Sequence, residues 1–156
     1  VAPDNMLAFV RDDLYYVRRG CEKVIVSENS IYSKWSPMKG IEVETILELC
    51  EGGHIRKHTV RSEFDCEAVE CGFNLPIDEL REVNRTCESN FASIENRNGI
   101  SHIELLSGEG MGNFVLCEAN INVLHNRTAL PYIELKFRKG VTSIELFVGA
   151  KRYLNE

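Results

Sequence analysis

Long apolar runs are missing from this chain. Its uninterrupted hydrophobic stretches extend only a few residues, far below the roughly 20 needed to cross a bilayer as a helix. Direct membrane insertion of this chain is therefore not expected. A basic excess is missing as well: 18 Lys and Arg against 24 Asp and Glu leave a formal net charge of −6. Duplex nucleic-acid binders usually carry the opposite imbalance, so no nucleic-acid partner is expected. Signature motifs of catalysis are equally scarce. The chain contains no Gly-x-Ser-x-Gly elbow, no His-Glu-x-x-His pair and no Asp-x-Asp-x-Asp-Gly calcium ladder. Ser107 to Gly112 is glycine-rich but lacks the Gly-Lys-Ser/Thr ending that grips phosphate, and it precedes a predicted strand. It reads as a hairpin loop. No enzyme, cofactor or metal site is expected. No repeat, low-complexity tract or linker interrupts the sequence, and 156 residues suit a single domain over 1–156.

What the chain does have is six cysteines: Cys21, Cys50, Cys66, Cys71, Cys87 and Cys117. An even set spread along the chain predicts a disulfide framework in an oxidising compartment. Six cysteines allow fifteen pairings, so the connectivity is open. Two Asn-x-Thr triplets, at Asn84 and Asn126, are acceptor sites for N-linked glycan on a secreted chain. Asn126 is the better placed, because it falls between two predicted strands. No leader is visible, and the chain opens Val1-Ala2-Pro3 without Met, as a processed or excised fragment would.

The rival to disulfides is zinc. Cys50, His54, His58, Cys66 and Cys71 share one stretch with the right ligand types, but without the tight cysteine pairs that structural zinc sites present. A Cys–His hydrolase would need a signature around one of the cysteines, and none is present. Asp12, Asp13, Asp65, Glu67 and Glu70 read as solvated carboxylates. Three basic clusters, His54–Arg61, Lys136–Lys139 and Lys151-Arg152, would have to converge in space to hold an anionic ligand such as a sulfated glycan. Scattered solvated side chains are the simpler reading. Trp35, with Tyr15, Tyr16 and Tyr32, is expected in the core.

The dominant texture is period-two alternation, the mark of half-buried strands. It places His58, Val60, Ser62 and Phe64 on one face. It does the same for Ile133, Leu135 and Phe137, and for Thr142, Ile144, Leu146 and Val148. Residues 131–138 and 141–149 are predicted to form a hairpin through Lys139-Gly140, and 101–106 to pair with 113–123. Earlier strands are expected near 7–10, 14–18, 22–27, 31–35 and 41–50. One segment departs from alternation. Ile77, Leu80, Asn84, Cys87, Phe91 and Ile94 follow spacings of three and four, which predicts one helix over 76–95.

The fold class expected is mostly β, an antiparallel sandwich or barrel with that single helix. The expected role is an extracellular recognition domain, secreted or on a cell or virion surface, binding a protein or glycan. A small-ligand carrier barrel and an intracellular zinc-stabilised domain are the alternatives.

Overall fold

A computed structural model of the chain describes residues 7–18, 20–73, 75–77, 84–108, 112–121 and 126–154. They form fourteen strands: β1 (Ala8–Arg11), β2 (Leu14–Tyr16), β3 (Lys23–Val26), β4 (Ser30–Met38), β5 (Ile41–Cys50), β6 (Gly53–Ser62), β7 (Cys66–Cys71), β8 (Leu75–Ile77), β9 (Asn84–Cys87), β10 (Phe91–Asn96), β11 (Gly99–Ser107), β12 (Gly112–Ile121), β13 (Asn126–Phe137) and β14 (Gly140–Arg152). Two antiparallel sheets result. The larger runs β3-β4-β5-β6-β14-β11-β10-β9, and the smaller runs β12-β13-β7-β1-β2 with β8 also pairing β13. Neither closes on itself, so the fold is a sandwich and the carrier-barrel alternative falls.

Alternation predicts the buried faces well. Val60, Ile133, Leu135, Phe137, Ile144, Leu146 and Val148 all enter one core with Trp35, Phe9 and Leu7. Phe9 meets Trp35 edge-on at 6.2 Å and tilts against Phe137 at 6.0 Å, tying the two sheets together. Burial on the inner faces of both sheets is the main stabilising term.

Neighbour relations differ from expectation in two places. β13 and β14 do not form a hairpin; they lie in different sheets, and Lys139-Gly140 is the corner between them. Gly140 has φ +116°, so the glycine is needed, but for a crossing and not for a hairpin turn. The physical reason is that both strands carry an apolar face, and facing each other across the core buries both. Likewise β11 pairs with β10 and β14, while β12 pairs with β13. The segment after Ser107 therefore crosses between sheets and closes no hairpin. Tight turns occur elsewhere. Asp12 and Asp13, at φ 51° and 60°, form the two-residue turn between β1 and β2, and Gly40 (φ +89°) turns β4 into β5.

The helix expected over 76–95 is replaced by strand: among the described residues no helix occurs, and β8, β9 and β10 occupy most of that span. Residues 78–83 lie outside the described residues. The three–four spacing arose from two short antiparallel strands joined by a turn. In β10, Ala92 and Ile94 face the core while Phe91 and Ser93 face outward, which is period two. Asn84 stands exposed on the edge strand β9, opposite Glu95, and Asn126 is the first residue of β13, opposite Ile121.

The disulfide framework is also corrected. Cys21, Cys50 and Cys66 are thiols, so the six sulfurs do not make three bridges. Cys50 ends β5 at a hairpin, Cys66 and Cys71 sit at opposite ends of β7, and Cys87 ends the edge strand β9. Cys117 lies mid-strand in β12. A sandwich with this much buried apolar surface does not depend on cross-links.

Candidate functional site

Among the described residues, three gatherings of polar or aromatic side chains bear on function. The first is buried between the sheets. Trp35 Nε1 donates to Thr45 Oγ1 at 3.0 Å, and Thr45 Oγ1 lies 2.8 Å from His58 Nδ1. His58 Nε2 approaches Glu70 Oε2 at 2.9 Å, without the alignment of a hydrogen bond. Arg56 Nη1 donates to the other Glu70 oxygen at 2.5 Å and to the Cys71 carbonyl at 3.0 Å, while Arg56 Nε donates to His54 Nε2 at 2.7 Å.

A hydroxyl, an imidazole and a carboxylate in line resemble the arrangement of a hydrolase triad. Thr45 and Glu70 are 0% exposed, and His58 is 1% exposed. Substrate has no approach, so the constellation is a bolt between β6 and β7 and not a reaction centre. Burial pushes the Glu70 carboxyl up. The charges of His58 and Arg56, with their contacts to it, more than reverse this and hold it below the usual carboxylate range.

His54 sits at the margin of this bolt. Burial, and then the neighbouring Arg56 guanidinium, lower its pKa to about 4. Its ring stands edge-on to Phe73 at 5.6 Å. Between the unfolded value of about 6.5 and about 4, the unfolded chain binds a proton here that the folded chain refuses. Stability at this site is thus complete above that window and declines as pH falls through it. Denaturant midpoints measured from pH 7 to pH 4.5 are expected to fall less steeply for His54→Gln than for the natural chain; parallel slopes would contradict this assignment.

The metal alternative does not assemble. His58 points into the bolt and His54 toward Arg56, and among the described residues no three His, Cys, Asp or Glu side chains meet as a metal site would require. The basic clusters do not converge either. Arg56 is buried, Lys57 and Arg61 lie on outward-facing positions of β6, and Lys139 and Lys151 stand at opposite ends of β14. Eleven or so residues of extended strand separate the last two by about 36 Å. Lys136 pairs in register with Glu67, and the Lys139 amide donates to Asp65 at 2.8 Å.

The second place is that cleft, of about 660 Å³, lined by Asp65, Glu67, Lys136, Arg138, Cys66 and Thr142 among others. Its charges compensate one another. Burial pushes the Cys66 thiol up despite a hydrogen bond with Ser62, so it is a poor nucleophile.

The third place is the outer face of the large sheet, on which no described strand packs. Register stacks three rows across it. One row runs Glu48, Ile55, Phe147, Glu104, Phe91; the next Gly53, Gly149, His102, Ser93; the third Lys151, Ile100, Glu95. His102 occupies the middle. Its ring lies 5.4 Å from Phe91 and 6.0 Å from Phe147, and its Nε2 is 3.3 Å from Glu104 Oε2. Gly149 makes this arrangement possible. A Cβ there would come within 2.8 Å of the Phe147 ring, so the missing side chain lets that ring lie down beside His102. The result is an apolar shelf of Phe91, Phe147, Ile55 and Ile100, only half-buried, with hydrogen-bonding groups at its centre and rim. Four strands at about 4.8 Å spacing give it a width of about 14 Å, enough for two or three pyranose rings.

None of the shelf residues is singled out by motif. The available signal was parity: Phe147 shares its side of β14 with Val141, Ser143 and Glu145, so an aromatic ring stands on the polar side of an alternating strand.

A family model described as the DUF2264 C-terminal domain matches residues 1–151. No curated protein matches the chain. Among solved structures, heparan sulfate lyase HepC from Pedobacter heparinus is similar with a TM-score of 0.63 at 10% identity, and a mutant of the same enzyme with 0.64 at 10%. A heparinase III gene product is similar with 0.60 at 7%. Each likeness covers 97% of this chain and 24% of the other, so the chain spans about a quarter of the length of these proteins. At such identities the likeness is one of fold. The match over 151 of 156 residues decides the family: the chain belongs to the DUF2264 C-terminal domain family.

Proposed function

We propose that this domain is a glycan-binding β-sandwich module that holds a sugar chain against the outer face of its larger sheet. The observation that carries the reading is the Phe91–His102–Phe147 shelf, aromatic rings placed on a solvent-facing sheet surface with a carboxylate at hydrogen-bond distance. The C–H face of a pyranose packs on an aromatic ring, while its hydroxyls need acceptors such as Glu104. That the similar solved structures are named as a heparan sulfate lyase and a heparinase III supports a glycan over other ligands. The role we read is recognition; the triad-like Thr45, His58 and Glu70 are sealed in the core and offer no support for catalysis there. A glycan partner also supports an extracellular or surface setting, which the cysteines no longer do.

A protein partner is the second reading. It is favoured by the exposed Val26, Ile31 and Leu49, which line a mainly apolar cleft of about 330 Å³.

Titration calorimetry of the domain against a panel of defined oligosaccharides tests the proposal. Saturable binding to at least one, lost in the Phe91→Ala/Phe147→Ala double variant, is expected. Binding that survives in the folded double variant, or a silent panel, would overturn it.

A further inference from the structure

The acidic residues around the shelf carry a further consequence, which rests on the glycan reading above. Glu104 lies within the shelf, bound to His102. Glu95 is one row away and accepts a hydrogen bond from the Tyr153 hydroxyl. Glu48 ends the Phe147 row, and Glu145 precedes Phe147 by two residues on the same face. Fewer cations stand beside the shelf; Lys23, Lys34 and Arg61 share this face of the sheet but lie away from its three rows. Lys57 is drawn to Glu48 at 3.3 Å, and Lys151 stands at the end of the third row. Beside the shelf, four carboxylates therefore face two ammonium groups, one of which is already paired.

We infer that the shelf selects uncharged glycans and rejects sulfated or uronate-rich ones, in contrast to what the names of the structurally similar lyases would suggest. Carboxylates offer acceptor oxygens only. Sugar hydroxyls supply the protons those oxygens need, whereas sulfate and carboxylate groups bring further acceptors and like charge. Juxtaposed like charges oppose docking and set specificity more than affinity. Because the shelf is open to solvent, that opposition is screened by salt, while stacking of a neutral sugar is not.

The test compares uncharged gluco-, manno- and galacto-hexaoses with heparan sulfate hexasaccharides of increasing sulfation, by calorimetry at low and at physiological ionic strength. The uncharged ligand that binds best is expected to exceed the sulfated ones by about ten-fold or more at low salt, with an affinity that salt leaves unchanged. Glu104→Gln and Glu145→Gln are expected to narrow the gap. Tighter binding of the sulfated ligands, weakened by salt and lost in Phe91→Ala/Phe147→Ala, would overturn this inference and leave the glycan reading standing. If no ligand of either kind binds, both fall together.

Discussion

Replacing Glu70 by Ala is expected to lower the folding free energy by about 3–5 kcal/mol. The carboxylate is 0% exposed and is the shared partner of the Arg56 guanidinium and the His58 imidazole. Without it, a guanidinium whose side chain is 3% exposed keeps only the Cys71 carbonyl and His54 as partners. Domains of this size are stable by about 5–15 kcal/mol, so the loss is a large fraction of the total. Equilibrium unfolding in urea measures it. The same logic predicts that Arg56→Met/His58→Leu/Glu70→Leu, which removes every charge together, recovers most of the loss, because an apolar set of similar volume needs no desolvation. A small effect of Glu70→Ala would mean that water reaches the bolt.

Acid should find the same weakness. Since the folded carboxyl titrates below its unfolded range, its contribution is present above about pH 4.3 and is lost as pH falls through the folded value. Glu70→Gln, already weakened, is expected to lose less on further acidification.

Phe147→Ala is the substitution with the largest expected effect on binding. Truncating a central aromatic anchor costs about 2 kcal/mol of affinity, roughly 30-fold. Its effect on stability is expected to be no more than about 1 kcal/mol, the scale of a cross-strand contact on an open sheet face. The separation between the two readouts matters: a variant that binds poorly and unfolds early would say nothing about the shelf. Phe91→Ala is expected to behave in the same way, since it flanks His102 from the opposite side.

Which faces are buried was legible in the sequence, and which strands are neighbours was not. Alternation reports the side on which Ile133, Leu135 and Phe137 point, and they do enter the core. It carries no information about whether β13 then pairs with β14 or faces it across the sandwich. The helical stripe failed for a related reason: over two strands and a turn, spacings of three and four occur by coincidence, and Cys87 on that stripe is exposed. Evenness of the cysteine count was a weak sign because pairing depends on geometry that sequence does not display. The two polar sites left a fainter trace. Glu70 shares its side of β7 with Ala68, and His58 shares its side of β6 with Val60, so each is a titratable residue on an apolar parity. Phe147 is the reverse, an aromatic on a polar parity. Residues that break the alternation were therefore the ones to follow. Their partners come from distant strands and become visible only with the register.

The most direct measurement is an NMR titration of the labelled domain with the oligosaccharide that binds best, following backbone amides and aromatic side chains together. The expected result is that the largest shifts fall on the rings of Phe91, His102 and Phe147 and on the amides of the rows that carry them. Shifts concentrated instead around Leu49 and Val26, or in the cleft between Asp65 and Lys136, would contradict the account.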